Sequence, residues 1–222
     1  MVGSAMVLGL AKLGFKIAVI EPSMPVPFDS KQPPDMRVAA VSLTSEALLH
    51  DLGAWTHIKN MRLCPYKRLS VWDKPSCRTD FDCKAIGQPH LGHIIENRLV
   101  QLSLHAAIEK NQNVVFYENL KVTDITSSDT SQITLEDGQI IKAKLLIGAD
   151  GGNSVVRAAA NIGVQGWQYS HEVFSLSSCI VPPACHTSSS GESSWLAHLA
   201  RPTYGSIYQK HKESFGCHRL LP

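Results

Sequence analysis

Gly148-Ala149-Asp150-Gly151-Gly152-Asn153-Ser154-Val155-Val156-Arg157 directly follows an apolar run at residues 143–147. The run predicts a buried strand, and residues 153–160 are compatible with a helix. A strand that delivers Asp-Gly to a tight turn before a helix lets backbone approach a phosphorylated ligand closely. Two interpretations stay open from these residues alone: the Asp150 carboxylate binds a ribose hydroxyl, or it caps the helix.

The N-terminal stretch carries half of a dinucleotide-binding pattern. Residues 2–14 predict a helix in which apolar positions 2, 6, 10 and 13 share a face and Gly14 ends the helix. Residues 16–21 predict a strand that ends in Glu21, 18 residues after Gly3. In a βαβ unit the third glycine allows helix and strand to pack closely, and an acid about 20 residues on binds the ribose. The alternative is an ordinary helix and strand with a solvated glutamate.

The chain between these two stretches alternates helices and strands. Proline-rich residues 22–34 predict a loop, residues 42–53 a helix closed by Gly53, and residues 94–110 a further helix. Residues 68–73 predict a strand, and residues 113–147 are strand-like, with a hairpin turn at Asp137-Gly138. This order predicts an α/β fold.

Composition excludes several classes of protein. The 222 residues are 44% hydrophobic and 18% charged, and 21 basic against 19 acidic residues leave a formal charge of +2. Such a chain buries a core and presents no basic surface for nucleic acid. No apolar run reaches the roughly 18–20 residues of a membrane span. Lys12 and Lys16 interrupt the first apolar stretch, so we expect no secretory signal and a cytoplasmic location.

Cysteine and histidine spacing gives little support for a metal site. The six cysteines include no C-x-x-C pair, which favours reduced thiols that pack as small hydrophobic residues. His90 and His93 have a spacing that suits a metal, but no second pair of ligands lies at a matching spacing. We predict no metal.

Both stretches together resemble the FAD-dependent aromatic-ring monooxygenases with a para-hydroxybenzoate hydroxylase-like fold, and among them the ubiquinone-biosynthesis hydroxylases. The resemblance covers residue 2 to about residue 195. Besides the two stretches it rests on the segments Asp35-Met36-Arg37-Val38-Ala39-Ala40-Val41-Ser42, Leu52-Gly53-Ala54-Trp55, Met61-Arg62, Pro65-Tyr66-Lys67-Arg68-Leu69, Ile95-Glu96-Asn97-Arg98-Leu99-Val100-Gln101 and Trp167-Gln168-Tyr169.

The resemblance implies FAD as the cofactor and NAD(P)H as co-substrate. It implies that Gly3 packs the helix under the FAD pyrophosphate, that Glu21 binds the adenosine ribose, and that Arg37 lies beside the flavin and its phosphates. Surface or loop roles stay open as alternatives for Arg37, Gln101 and Arg157. The cofactor-binding residues implied in this way are Gly3, Glu21, Arg37, Gln101, Asp150, Gly151 and Arg157. No catalytic residue is predicted, because the chemistry belongs to the cofactor.

The implied function is hydroxylation of the benzoquinol ring of a polyprenylated ubiquinone precursor with O2. Such a substrate suggests peripheral contact with the inner membrane face, and association with other quinone-biosynthesis proteins is a further expectation. Two alternatives stay open: another FAD- or NAD(P)-linked oxidoreductase, and a non-catalytic remnant or interaction subunit of the quinone pathway.

The implied domain organisation departs from the family at both ends. Residues 1–72 form the FAD-binding part without its first strand, residues 73–93 begin the β-rich substrate domain, and residues 94–169 return to the FAD-binding domain. Residues 170–195 resume the substrate domain, and residues 196–222 have no family resemblance. We expect a truncated product of a reading-frame change near Trp195.

Overall fold

A computed structural model describes residues 1–72, 77–127 and 130–166 of the chain. The predictions for residues 170–195 and 196–222 therefore lie outside the described residues. The helices are α1 (Val2–Lys12), α2 (Leu43–Asp51), α3 (Trp55–Lys59), α4 (Asn97–Ile108) and α5 (Val155–Ala159), with a 3-10 turn at Cys83–Ile86. The strands are β1 (Ile17–Glu21), β2 (Val38–Ser42), β3 (Cys64–Tyr66), β4 (Arg68–Trp72), β5 (Arg78–Asp82), β6 (Gly92–Glu96), β7 (Val114–Glu118), β8 (Val122–Ser127), β9 (Ser131–Leu135) and β10 (Ile140–Ala143).

These elements divide into two compact units. The first consists of Met1–Leu63 with Gly92–Gln165, and the described part of the second lies within Cys64–Leu91. The boundaries between the units lie at 63/64 and 91/92, whereas the boundaries predicted from the sequence lie at 72/73 and 93/94. In the first unit, β1 pairs in parallel with β7, β2 pairs antiparallel with β6, and β8, β9 and β10 form an antiparallel meander.

The core of the first unit is built around α4. Its residues Leu99, Leu104 and Ile108 are buried, and the helix packs against both α1 and α3. At about 100° per residue, Leu104 and Ile108 share one face of the helix and Leu99 lies opposite Ile108, so α4 is buried on more than one side. Trp55 and Ile58 of α3 belong to the same apolar cluster. Helix α4, which carries Gln101, is therefore held by two other helices.

Helix α1 is confirmed, but its buried face is not the one predicted from apolar positions 2, 6, 10 and 13. The buried residues are Ser4, Val7, Leu8 and Ala11, whereas Val2, Met6 and Leu13 are exposed. Packing against α4 selects the face with the smaller side chains, because they let the two helices approach each other. Gly14 ends the helix with φ +81°, as its position predicts.

The strand predicted for residues 143–147 is wrong. Strand β10 ends at Ala143, where its pairing with Ser131 of β9 ends, and residues 145–149 have no regular secondary structure. The Leu145 side chain is 73% exposed. Backbone hydrogen bonds to a neighbour stabilise a strand, and none of the described residues pairs with this segment. The helix predicted over residues 94–110 begins only at Asn97, because residues 94–96 belong to β6. The predicted hairpin turn is present, and its Gly138 has φ +84°.

The described part of the second unit is a hairpin followed by the 3-10 turn. Strands β4 and β5 pair antiparallel, and the Arg68 guanidinium donates to the Asp82 carboxylate at 2.8 Å. Asp82 also caps the 3-10 turn by accepting from the Lys84 backbone N–H at 2.9 Å. In the described residues, no helix has the length and apolar character needed to span a bilayer.

Candidate functional site

Asp150 lies in a turn whose hydrogen bonds are local. Its carboxylate accepts from the Ser154 hydroxyl and from the backbone N–H groups of Val155 at 2.7 Å and Val156 at 3.3 Å. Partial burial would raise the pKa of Asp150, but these hydrogen bonds outweigh it and lower the pKa. The carboxylate is thus ionised at neutral pH and caps α5. This geometry matches the capping interpretation without excluding a ribose contact, because a carboxylate has about four acceptor sites.

Gly151 and Arg157 complete this turn. Gly151 has φ +86°, a left-handed conformation that other residues rarely adopt. The Arg157 guanidinium donates to the Gly152 carbonyl at 2.8 Å, and the Arg157 backbone N–H donates to the Ser154 hydroxyl at 3.0 Å. Arg157 is half-buried and folds back onto the turn, so its charge lies beside the backbone that Asp150 caps.

Gly3 brings the start of α1 to this turn. A Cβ atom on Gly3 would lie 3.0 Å from the Cβ of Ala149, and a Cβ atom on Gly148 would lie 2.9 Å from two side-chain atoms of Val156. Both distances are shorter than ordinary carbon–carbon contact. Glycine at these two positions therefore allows α1, the turn and α5 to pack together.

Glu21 ends β1 in a half-buried position. Its carboxylate accepts from the Ser23 backbone N–H at 3.3 Å, and its carbonyl accepts from the Asn119 N–H at 2.7 Å. A carboxylate at the carboxyl end of a parallel strand has the position and the acceptor character that a ribose hydroxyl needs. The hydrogen bond to Ser23 leaves acceptor sites for it.

Arg37 and Gln101 lie near the junction of β2, β6 and α4. Arg37 is exposed, and its carbonyl accepts from the Asn97 backbone N–H at 2.9 Å, which joins the start of β2 to the start of α4. Gln101 is half-buried on the second turn of α4. A backbone hydrogen bond thus joins Arg37 to α4, and close packing joins Gly3 to the Asp150 turn.

A buried ion-pair network at the same junction was not predicted from the sequence. The Glu96 carboxylate accepts from the Asp35 backbone N–H at 2.9 Å and from Arg62 at 3.2 Å. Arg98 donates to the Asp35 carboxylate at 2.7 Å, and this contact, although partial burial opposes it, raises the pKa of Arg98. Asp35, Glu96 and Arg98 lie in segments that carried the family resemblance, but their spacing in the sequence does not predict that they contact one another.

The residues of the first unit fit FAD by their chemistry. Gly3 leaves room beside Ala149 that a side chain would fill, Glu21 offers a carboxylate for a ribose, and Arg37 offers an exposed cation for phosphate. No residue of this set has a character that conflicts with a dinucleotide.

Comparison with known proteins supports FAD as the cofactor. The model of the FAD binding domain family matches residues 9–205. The 3-demethoxyubiquinol 3-hydroxylase of Escherichia coli K12 is 38% identical over 196 residues, which cover 88% of this chain and 49% of that protein. The mitochondrial ubiquinone biosynthesis monooxygenase COQ6 of Xenopus tropicalis is 35% identical over 192 residues, which cover 77% of this chain and 40% of that protein. The chain therefore spans about half or less of the length of these relatives.

Solved structures agree on the fold. PqsL, a probable FAD-dependent monooxygenase from Pseudomonas aeruginosa, covers 81% of this chain with a TM-score of 0.61 and 17% identity, and the match spans 48% of PqsL. The p-nitrophenol 4-monooxygenase PnpA of Pseudomonas putida covers 79% with a TM-score of 0.55 and 19% identity, and the match spans 42% of PnpA. The predicted fold class, α/β with a partial FAD-binding domain of the para-hydroxybenzoate hydroxylase type, is confirmed.

Proposed function

This chain belongs to the FAD binding domain family, and from that membership we propose that it acts as a flavin-dependent monooxygenase on a quinol ring. The substrate proposed is the benzoquinol ring of a polyprenylated ubiquinone precursor. The two relatives described above are named for ubiquinol hydroxylation and for ubiquinone biosynthesis, which supports that substrate class.

The observation that carries the proposal is the approach of α1 to the Asp150 turn at Gly3. The distance of 3.0 Å from an added Cβ to Ala149 keeps the amino end of α1 beside the acidic turn. A helix amino end offers N–H groups and a partial positive charge to phosphate. An ionised carboxylate nearby offers acceptors for hydroxyl groups. Together these two features suit the pyrophosphate and ribitol or ribose groups of a dinucleotide.

Each site residue has a proposed role in holding FAD. Glu21 accepts from the adenosine ribose, Arg37 offsets phosphate charge, and Gln101 donates or accepts at the flavin side of α4. Gly151 and Arg157 shape the Asp150 turn. FAD, when bound, would supply the chemistry by which NAD(P)H, a proton and O2 convert a ring C–H into a ring hydroxyl, with NAD(P)+ and water as the other products. The protein positions the ring and excludes water.

The proposed setting follows from the substrate. A polyprenyl chain partitions into the bilayer, so we propose a cytoplasmic protein that contacts the inner membrane face peripherally. Association with other proteins of quinone biosynthesis is proposed on the same ground, because such a substrate passes between enzymes without leaving the membrane.

FAD binding by the 222-residue chain tests the proposal. We expect added FAD to be retained and its visible absorbance to change on binding. Glu21→Gln should weaken FAD binding about tenfold, as expected when a hydrogen bond to a charged group is lost. Glu136→Gln, in the exposed β9–β10 turn, is the matched control and should leave affinity unchanged.

Two results would contradict this proposal. A folded chain, judged by circular dichroism, that takes up no FAD would favour a non-catalytic remnant. A chain that binds FAD and oxidises NAD(P)H but never hydroxylates a quinol would favour another class of flavin-linked oxidoreductase.

A further inference from the structure

A cleft lies within the first unit, between the proline-rich loop and α4. Its volume is about 790 Å³, which is within the range of small-molecule sites. Residues 24–28 of the loop form one wall. The opposite wall consists of α4 residues, among them Leu102 and Ala106, and Met61 and the end of β7 close the remaining sides.

Hydrogen bonds hold the loop wall in place. The Arg98 guanidinium donates to the carbonyls of Val26 and Pro27, both at 3.0 Å. The backbone N–H of Met24 donates to the Asn119 side-chain carbonyl at 3.3 Å. Because the loop is fixed at both ends of the wall, the cleft is formed before a ligand enters it, which lowers the entropic cost of binding.

Two buried polar groups lie at the α4 wall. The Ser103 hydroxyl and His105 Nδ1 are buried, and neither makes a hydrogen bond to a described residue. Burial lowers the pKa of His105, although nearby carboxylates, Glu21 foremost, oppose the shift. The ring is therefore neutral at pH 7 and offers an acceptor. A neutral ring adds no positive charge to this wall, so it does not repel a cationic ligand.

Charge and shape define the class of ligand. Phe28, Met61 and Leu102 give the cleft apolar surfaces, and Glu109 and Glu118 give it two carboxylates. Its lining residues include no lysine or arginine, although Lys110 reaches the rim, where its Nζ lies 3.0 Å from Nε2 of His57. We propose that this cleft binds a small cationic arylalkylamine, with its ring against the apolar surfaces and its ammonium group toward Glu109 and Glu118.

The cleft adjoins the proposed FAD site at Glu21, which pairs with Glu118 across the β1–β7 ladder and whose carbonyl accepts from the Asn119 N–H at 2.7 Å. None of the seven residues assigned to FAD, from Gly3 to Arg157, lines it. The proposal therefore does not depend on FAD binding, and its failure leaves the proposed function unaffected.

Methionine methyl groups give a direct test. The chain has five methionines, of which Met24 and Met61 line the cleft and Met1, Met6 and Met36 do not. In the full chain labelled at methionine methyl carbons, tryptamine should shift the Met24 and Met61 resonances with a dissociation constant of about 1 mM or tighter. Indole-3-acetate carries the same ring with a carboxylate and should bind at least about tenfold more weakly.

Two variants with matched controls sharpen the test. Ala106→Trp fills the cleft and should abolish the shifts, whereas Ala85→Trp, on an exposed position of the second unit, should preserve them. Glu109→Gln should weaken tryptamine binding several-fold, and Glu136→Gln should not. Circular dichroism confirms that each variant is folded.

Three results would overturn the proposal. The first is the absence of any shift at Met24 and Met61. The second is equal binding of indole-3-acetate, which would contradict the role of the carboxylates. The third is displacement of tryptamine by AMP, which would assign the cleft to the adenosine part of a dinucleotide.

Discussion

The junction at Glu96 and the turn at Asp150 are both organised by a carboxylate, but they are built in opposite ways. Glu96 binds partners 61 and 34 residues away in the chain, and its side chain is 5% exposed. Asp150 binds partners four to six residues away and is exposed. The Asp150 turn can form from its own residues, whereas the Glu96 junction exists only when loop, strand and helix have assembled. Stability should therefore depend mainly on Glu96.

Removing the Glu96 carboxylate is expected to give the largest effect. Glu96→Ala leaves the Asp35 N–H without its acceptor and removes the carboxylate that pairs with Arg62, which keeps only the Gln32 carbonyl at 2.8 Å; it should lower the free energy of unfolding by about 3–5 kcal/mol. Urea denaturation followed by circular dichroism measures the loss. Glu136→Ala, on an exposed turn, should change stability by less than about 0.5 kcal/mol. If both variants lose the same free energy of unfolding, the Glu96 junction contributes no more to stability than an exposed turn does.

A methyl group at Gly148 should have an intermediate effect. Gly148→Ala places a Cβ 2.9 Å from Val156 and should cost about 1–3 kcal/mol, because α5 must move away from the turn. Gly152→Ala is the matched control, since a Cβ there meets nothing within 4 Å. The two variants are compared by urea denaturation. If both lose the same stability, close packing does not hold the turn.

Asp150 should give the smallest effect of the three, and this effect should depend on pH. Asp150→Ala removes the acceptor of the Val155 and Val156 N–H groups at the start of α5 and should cost about 1 kcal/mol at pH 7. Because the folded-state pKa of Asp150 is lowered, its contribution is complete above the ordinary value near 3.9 and disappears as pH falls through the folded-state pKa. The difference between wild type and variant, measured by denaturation from pH 7 to pH 3, should shrink. A constant difference would contradict an ionised cap.

The elements that could be predicted from sequence are those fixed by local rules. Gly14 and Gly138 have the left-handed backbone that their positions required, and the Ser42 side chain caps α2 by accepting from the Ser45 N–H at 3.3 Å. The turn from Asp150 belongs to the same group, because its partners are close in the chain. Such features need no knowledge of the tertiary structure.

The features that were missed depend on distant partners. The apolar run at 143–147 has the composition of a buried strand, yet no described strand pairs with Leu145. The buried face of α1 was set by its contact with α4, and Glu96 found its partners through folding. Glu109 and Glu118 were not singled out as ligand-binding residues, because only the folded loop brings a wall opposite α4.

The parallel pairing of β1 with β7 has a consequence for folding kinetics. Ile17 pairs with Val114, so the first hydrogen bond between β1 and β7 must close a loop of almost half the chain. Contacts of such high contact order form slowly, whereas the β8–β9 and β9–β10 hairpins close over a few residues. We expect amide protons of the meander to gain protection from exchange before those of β1 during refolding. The strand that bears Glu21 would then be among the last parts of the first unit to become ordered.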